Sequence, residues 1–280
     1  MSAPQSPLDI SFEFFPPNTD AGRDKLMRAR DALASREPRF FSVTYGAGGS
    51  TQHRTLDAVK AVRECGIDTA PHLSCVGSEK AQLRDLLTRF REDGVKRLVA
   101  LRGDLPSGMG GVGELRYANE LVEFIREETG EHFEIAVAAY PESHPQAPSF
   151  ERDVENFARK MQAGADLAIT QYFFTAEAYF HFVDRARALG VEAPIVPGIM
   201  PITNYTKLAR FSDACGAEIP RWIRKQLEAY GDDSEAIAAF GEDVISGLCQ
   251  RLLDGGAPGL HFYTLNQAEP TLKVLDNLRT

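Results

Sequence analysis

Short apolar segments alternate with longer amphipathic ones along this chain, and this alternation limits the fold more than any other feature. The apolar segments recur at intervals of roughly 30 residues, which is the length of one strand-helix unit in a parallel sheet. Eight units of this length favour a closed parallel barrel. The predicted strands span residues 10–15, 39–45, 69–75, 97–103, 134–140, 167–173, 194–200 and 259–265.

The segments between the strands have the periodicity of amphipathic helices. In 79–93, for example, Leu83, Leu86, Leu87 and Phe90 recur at the spacing of one helical face. The sequence therefore predicts a single (β/α)8 TIM barrel with an extra helical insertion between strands seven and eight, in one domain spanning 1–280. Further helices are predicted over 20–35, 52–64, 114–129, 150–163, 176–189 and 204–214, with the inserted pair over 219–230 and 233–253.

Charge and composition exclude several classes of partner. A formal net charge of −9 argues against nucleic acid or an anionic membrane as the main partner. The first residues lack the basic and apolar regions of a signal peptide, and no apolar run approaches the roughly 18 residues of a membrane span. We therefore expect a cytoplasmic protein. The four cysteines are scattered along the chain, so we expect reduced thiols, and the six histidines do not cluster with them, so we expect no metal site. The cysteines are Cys65, Cys75, Cys215 and Cys249.

Polar residues stand at the predicted strand ends. In a barrel of this kind, catalytic groups come from the carboxyl ends of the strands and from the loops that follow. Selecting only those positions predicts a polar ring at the barrel mouth. Its members are Glu13, Thr44, His72, Arg102, Asp104, Tyr140, Gln171, Tyr263 and Asn266.

Glu13 is the strongest single indication of chemistry, because it ends an otherwise hydrophobic strand. Burial among Phe12, Phe14 and Phe15 would raise its pKa towards neutral, which suits a general acid. The alternative is a structural carboxylate held by an arginine. By alternation, Ser11 and Glu13 share the side of the strand opposite Phe12 and Phe14.

Two further segments carry polar groups with alternative interpretations. After strand four, Gly103 allows close approach of a ligand, and Asp104 could accept hydrogen bonds from an aminopyrimidine or simply cap a turn. The G-x-G-x-x-G at 108–113 does not directly join a strand to a helix, so we interpret it as a loop over the mouth, not a dinucleotide site.

The helix predicted over 150–163 has a charged face. This face could hold a ribose and a pyrophosphate, and the alternative is a solvated helix surface. His72 and His144 are either ligand contacts or structural histidines. The charged face carries Asp153, Asn156, Arg159 and Lys160.

Eight motifs lie one per strand and in order: SFEFFPP at 11–17, SVTYG at 42–46, APHL at 70–73, LRGDLP at 101–106, AYPE at 139–142, ITQYFF at 169–174, PGIMP at 197–201 and HFYTLN at 261–266. Together they resemble the family of bacterial 5,10-methylenetetrahydrofolate reductases. The resemblance covers nearly the whole chain and implies a barrel enzyme with non-covalent FAD. It further implies that NADH reduces the flavin and leaves, after which methylenetetrahydrofolate is reduced to 5-methyltetrahydrofolate in the same site.

The resemblance also implies roles for individual residues. Glu13 matches the acid that protonates folate N5 and opens the imidazolidine ring, and Asp104 matches the aspartate that meets the pterin beside the flavin. Gln171 matches a contact to both substrates, and Phe211 an aromatic that packs against either one. Positions that match flavin or nicotinamide contacts are Thr44, Tyr45, Ala47, His72, Arg102, Gly103, Asp104, Tyr117, Ala118, Tyr140, His144, Asp153, Asn156, Arg159 and Lys160.

The chain departs from the family pattern at two positions. Lys207 and Gln267 stand where the pattern has Gln and Arg, along the expected path of the aminobenzoyl-glutamate tail, so the preference for polyglutamylated folate stays open. The choice between NADH and NADPH is open as well. The resemblance suggests a homo-oligomer and, since the chain ends at Thr280, no regulatory domain that binds S-adenosylmethionine.

Two other functions remain open at this point. One is a different flavin-dependent barrel oxidoreductase, such as an enzyme acting on proline, in which Asp104 would have no role. The other is a non-catalytic protein that binds flavin or folate.

Overall fold

The computed structural model describes residues 8–45, 52–103 and 113–279. Its strands form one parallel sheet in the order β7-β6-β5-β4-β3-β2-β1-β9-β8. The two ends of this sheet, β7 and β8, are consecutive in the chain, so the sheet returns on itself as a barrel. The strands are β1 Ile10–Phe14, β2 Phe40–Val43, β3 Thr69–Ser74, β4 Arg97–Leu101, β5 Glu134–Ala139, β6 Leu167–Thr170, β7 Ile195–Val196, β8 Gly198–Ile199 and β9 Leu260–Tyr263.

The parallel barrel predicted from the sequence is confirmed, with one difference in strand count. The seventh predicted strand is divided into β7 and β8 by Pro197, which has no N–H for the ladder. The Pro197 carbonyl still accepts a hydrogen bond from the His261 N–H at 3.0 Å. Gly198 follows because a Cβ there would lie 2.0 Å from the Thr170 carbonyl oxygen.

Helices surround the barrel, and three of them lie between β8 and β9, where the additional pair is predicted. Helix α10 follows β9 and is not among the predicted helices. Within the described ranges, no helix combines the length and apolarity needed to cross a membrane. The helices are α1 Asp20–Ala34, α2 Gln52–Arg63, α3 Lys80–Glu92, α4 Ala118–Thr129, α5 Phe150–Gln162, α6 Ala176–Ala188, α7 Tyr205–Cys215, α8 Arg221–Tyr230, α9 Ser234–Asp254 and α10 Glu269–Asp276.

Two apolar layers position the site. The larger one packs the helices against the outside of the strands and includes Phe12 and Phe14. The smaller layer fills the barrel interior on the β2 to β6 side. Because side chains alternate along a strand, Ser11 and Glu13 face this interior, as predicted. The interior apolar residues are Phe40, Ala70, Val99, Ala136, Leu167 and Ile169.

Candidate active site

The interior of the barrel near its mouth holds one carboxylate and two imidazoles. Glu13 pairs in register with Ser42 of β2 and Tyr263 of β9. Its Oε2 lies 3.1 Å from His72 Nε2 and 3.7 Å from His261 Nε2. Both Nε2 atoms are buried and face this one carboxylate oxygen. We call Glu13, His72 and His261 the Glu13 cluster.

The protonation of Glu13 differs from the expectation of a neutral-range acid. Burial by itself raises the pKa of Glu13. The neighbouring His72 and His261 lower this pKa by more than burial raises it, so that it falls to about 2. The expectation that phenylalanines surround this carboxyl is wrong because Phe12 and Phe14 face the outer core. The partner predicted for a structural carboxylate was an arginine, whereas the neighbours found here are imidazoles.

The loop after β9 fixes the end of β1. Thr264 Oγ1 donates to the Glu13 carbonyl oxygen at 2.6 Å. The Asn266 side chain accepts from the Phe15 N–H at 3.0 Å and donates to the Phe15 carbonyl at 2.9 Å. Leu265 and Asn266 both have positive φ, 51° and 55°, which is uncommon for residues other than glycine. The carboxyl end of β1 is therefore tied to β9 at the level of Glu13.

A second group of predicted site residues lies after β3 and β4. Gly103 has φ +82°, and a Cβ there would lie 2.7 Å from the Ser74 Cβ, so only glycine fits. The Arg102 carbonyl accepts from the Val76 N–H at 2.9 Å, which joins the two strand ends. Tyr117 is 57% exposed and occupies the N-cap position of α4, which begins at Ala118.

Two predicted residues follow β2. The Thr44 N–H donates to the Phe14 carbonyl at 2.9 Å, and both Thr44 and Tyr45 are half-buried. Ala47 and Asp104 lie outside the described residues, and so does most of the 107–113 loop.

A third group brings β5 and α5 together. Asp153 Oδ2 accepts from the His144 N–H at 2.7 Å, and the His144 and Tyr140 rings meet edge to face at 4.6 Å. Lys160 Nζ lies 6.0 Å from the Tyr140 ring centroid. Burial lowers the Lys160 pKa to about 8, although Asp153 opposes this. Asn156 and Arg159 share a hydrogen bond of 3.0 Å on the same helix.

The predicted substrate contacts lie after β6, on α7 and after β9. Gln171 Oε1 accepts from the Tyr172 N–H at 3.0 Å. The Tyr172 hydroxyl lies 3.1 Å from Ser212 Oγ, so β6 is joined to α7 one residue from Phe211. Phe211 is 42% exposed. Lys207 is exposed in the first turn of α7, and Gln267 is half-buried after β9.

Sequence analysis did not identify His261 as a neighbour of the Glu13 carboxyl, nor Ser11 as the hydrogen-bond partner of His261. His261 appeared only within the HFYTLN motif. A signal was available, because His261 and Tyr263 share one face of β9 by alternation. The pairing of β9 beside β1 then places His261 in register with Ser11.

Comparison with known proteins assigns the chain to a family. The family model "Methylenetetrahydrofolate reductase" matches residues 2–279 of the chain. The chain belongs to the methylenetetrahydrofolate reductase family. It is thus an oxidoreductase of one-carbon folate metabolism that reduces methylenetetrahydrofolate to methyltetrahydrofolate.

Relatives match over most of the chain. It is 38% identical to 5,10-methylenetetrahydrofolate reductase of Escherichia coli K12 over 98% of this chain and 92% of the relative. It is also 38% identical to a probable methylenetetrahydrofolate reductase (NADH) of Oryza sativa, over 96% of this chain but 48% of the relative.

Solved structures share the fold. One is an uncharacterized protein from Clostridium thermocellum that binds two copies of 5-methyl-5,6,7,8-tetrahydrofolic acid. It superposes with a TM-score of 0.70 at 16% identity, covering 96% of this chain and 93% of the other.

Proposed function

We propose that this reductase uses FAD and NAD(P)H, with NADH as the expected donor, in a ping-pong cycle at one site. The observation that carries the proposal is the Glu13 cluster, in which two buried imidazoles face one carboxyl inside a barrel of this family. FAD, when bound, would take two electrons from NAD(P)H and return them to folate as a hydride. The chain's own residues would bind, orient and protonate the substrates.

The described residues fit FAD. The cations Arg102, Arg159 and Lys160 suit a pyrophosphate. Asp153 and Asn156 would hold the adenosine side, with Tyr140 and His144 beside them. The remaining predicted contacts are Thr44, Tyr45, Gly103, Tyr117 and Ala118, together with Ala47 and Asp104 outside the described residues.

Glu13 would supply the proton of the folate step. The product carries its methyl group on N5, so the bond from the bridging carbon to N10 must break. The electron pair of that bond stays on N10, and the proton must finally reside there, even if N5 is protonated first. The carbon remains on N5 as an iminium that accepts the hydride. With a pKa of about 2, Glu13 does not hold this proton alone, so we treat the cluster as one coupled group.

Gln171 and Phe211 would contact the substrates at the other side of the mouth, where Tyr172 joins β6 to α7. Lys207 and Gln267 would meet the glutamate tail. Binding of 5-methyltetrahydrofolic acid by the structural neighbour supports a folate site in a barrel of this shape. The name of the rice relative supports NADH. One domain, a homo-oligomer and a cytoplasmic location stay predictions.

An anaerobic titration tests the proposal. The purified protein should be yellow, its flavin absorbance should be bleached by NADH, and methylenetetrahydrofolate should restore it. Repeating the first half with NADPH ranks the two donors. A colourless protein that stays inactive after FAD is added would contradict the proposal.

A further inference from the structure

Ser11 and His261 form a buried pair beneath the Glu13 carboxyl. Ser11 Oγ and His261 Nδ1 lie 2.7 Å apart and belong to residues that face each other in the β1–β9 ladder. Ser11 is 3% exposed and His261 has no exposed surface. Polar groups buried this deeply in a barrel interior are costly unless they are paired. The hydrogen bond between Ser11 and His261 supplies this pairing.

The His261 ring has one defined orientation. With Nδ1 occupied by Ser11, the other nitrogen, Nε2, faces Glu13 Oε2 at 3.7 Å. Phe40 stacks against the ring at 6.1 Å with an interplanar angle of 25°. The Tyr263 ring meets it edge-on at 5.3 Å. Rotation of the imidazole is therefore opposed on two sides.

The ionisable groups near the pair come from four strands. Glu13 lies on β1, His72 on β3, and His261 and Tyr263 on β9. His72 meets the same carboxylate oxygen as His261. Burial and the Glu13 charge raise the Tyr263 pKa well above its usual value, so that phenol stays neutral. Arg97 of β4 lies 5.5 Å from the centre of the Phe40 ring.

We propose that Ser11 and His261 are positioning residues that hold the Glu13 carboxyl at the barrel mouth and set the pH range in which it carries a proton. A hydroxyl both donates and accepts hydrogen bonds. His261 can therefore present N–H to an ionised Glu13, or a lone pair to a protonated one, while Nδ1 stays paired. The inference rests on the proposed role of Glu13 as the acid in folate reduction.

The test compares pH profiles of the two half-reactions in one set of holoenzymes. His261→Phe keeps the ring and its stacking but removes both nitrogens, and Ser11→Ala removes the hydroxyl that orients them. Ser42→Ala is the matched control, because Ser42 is buried in register with Glu13 and its Oγ has no partner within the described ranges. The double variant Ser11→Ala/His261→Phe shows whether Ser11 acts through His261.

Loss of His261 removes a group that lowers the Glu13 pKa. The alkaline limb of folate reduction should therefore move to higher pH by about one unit, the lower end of the effect of a close partner. Ser11→Ala should move it in the same direction by less, the double variant no further than His261→Phe, and Ser42→Ala not at all. Flavin reduction by NADH in each preparation reports folding and cofactor content.

Three outcomes would overturn the inference: an unmoved limb in His261→Phe, additive shifts in the double variant, or equal shifts in Ser11→Ala and Ser42→Ala. If His261→Phe does not fold, the comparison of Ser11→Ala with Ser42→Ala still decides. Failure of the proposed function has a different signature, since the unmodified protein would then show no folate half-reaction.

Discussion

His72 Nε2 lies 3.1 Å from Glu13 Oε2, across the interior of the barrel from β3 to β1. A carboxylate beside an imidazole is stabilised in its ionised form. His261 adds to this effect from β9. Protons enter and leave such a set as a coupled group, and the arrangement explains how a buried acid is tolerated in an interior that also contains Phe40 and Ala70.

Glu13 should make the stability of the protein depend on pH. Its folded-state pKa is depressed from 4.5 to about 2, so the stabilisation is present above 4.5 and is lost as pH falls towards 2. Its size is about 3 kcal/mol at most. Urea unfolding of the unmodified protein and of Glu13→Gln should differ most near neutral pH and converge in acid. A difference that does not change with pH would contradict this, and the exposed Glu123→Gln is the control.

Lys160 should make FAD binding weaken in mild alkali. Burial lowers its pKa to about 8, so the cation offered to a pyrophosphate is lost as pH rises through that value. FAD dissociation, followed by flavin fluorescence, should increase several-fold between about pH 7 and pH 9. Lys160→Met should bind FAD weakly at both pH values, whereas the exposed Lys225→Met should behave like the unmodified protein. An unchanged pH dependence in Lys160→Met would rule out Lys160 as its source.

The Tyr172 hydroxyl should hold α7 in position for substrate binding. It contacts Ser212 Oγ at 3.1 Å and Cys215 Sγ at 3.4 Å. Tyr172→Phe removes about 1 kcal/mol of hydrogen bonding, so we expect the KM for methylenetetrahydrofolate to rise about fivefold with a smaller change in kcat. Tyr179→Phe is the control, because that hydroxyl donates to the Ile195 carbonyl at 2.7 Å. Equal effects on KM would show that the link to α7 is unimportant.

Arg126 should stabilise the amino-terminal end of the barrel without affecting catalysis. It donates to Asp166 at 2.6 Å, to the Phe133 carbonyl at 2.8 Å and to the Gly164 carbonyl at 2.9 Å. Arg126→Met removes this donor from the Phe133 and Gly164 carbonyls and leaves Asp166 with the Ile135 N–H, so it should lower the free energy of unfolding by roughly 2 kcal/mol. Arg152→Met breaks only an exposed pair on α5 and should cost less than about 0.5 kcal/mol. Similar losses in the two variants would contradict the role of Arg126.

The fold was predictable because it depends on periodicity that the chain displays locally. The face formed by Leu83, Leu86, Leu87 and Phe90 is buried as predicted. The break at Pro197 followed from its missing N–H, although the prediction treated 194–200 as one strand. Helix α10 is only 8 residues long, too short to give a clear periodic signal.

The position of Glu13 was predictable from its strand end, but its electrostatic surroundings were not. Phe12 and Phe14 are its neighbours in sequence, yet they point to the opposite side of β1. His72 and His261 come from strands distant in the chain, and their approach depends on strand order and register. The roles carried over from the family at other positions, including Asp104, stay predictions.

The most direct measurement is anaerobic stopped-flow of both half-reactions in Glu13→Gln. Glutamine keeps the shape of the side chain but has no acidic carboxyl proton to deliver. Bleaching of the flavin by NADH should proceed at nearly the rate of the unmodified protein. Its recovery with methylenetetrahydrofolate should slow by about 100-fold or more, the usual contribution of a general acid. Equal losses in the two half-reactions would contradict the acid role of Glu13 and indicate a structural one.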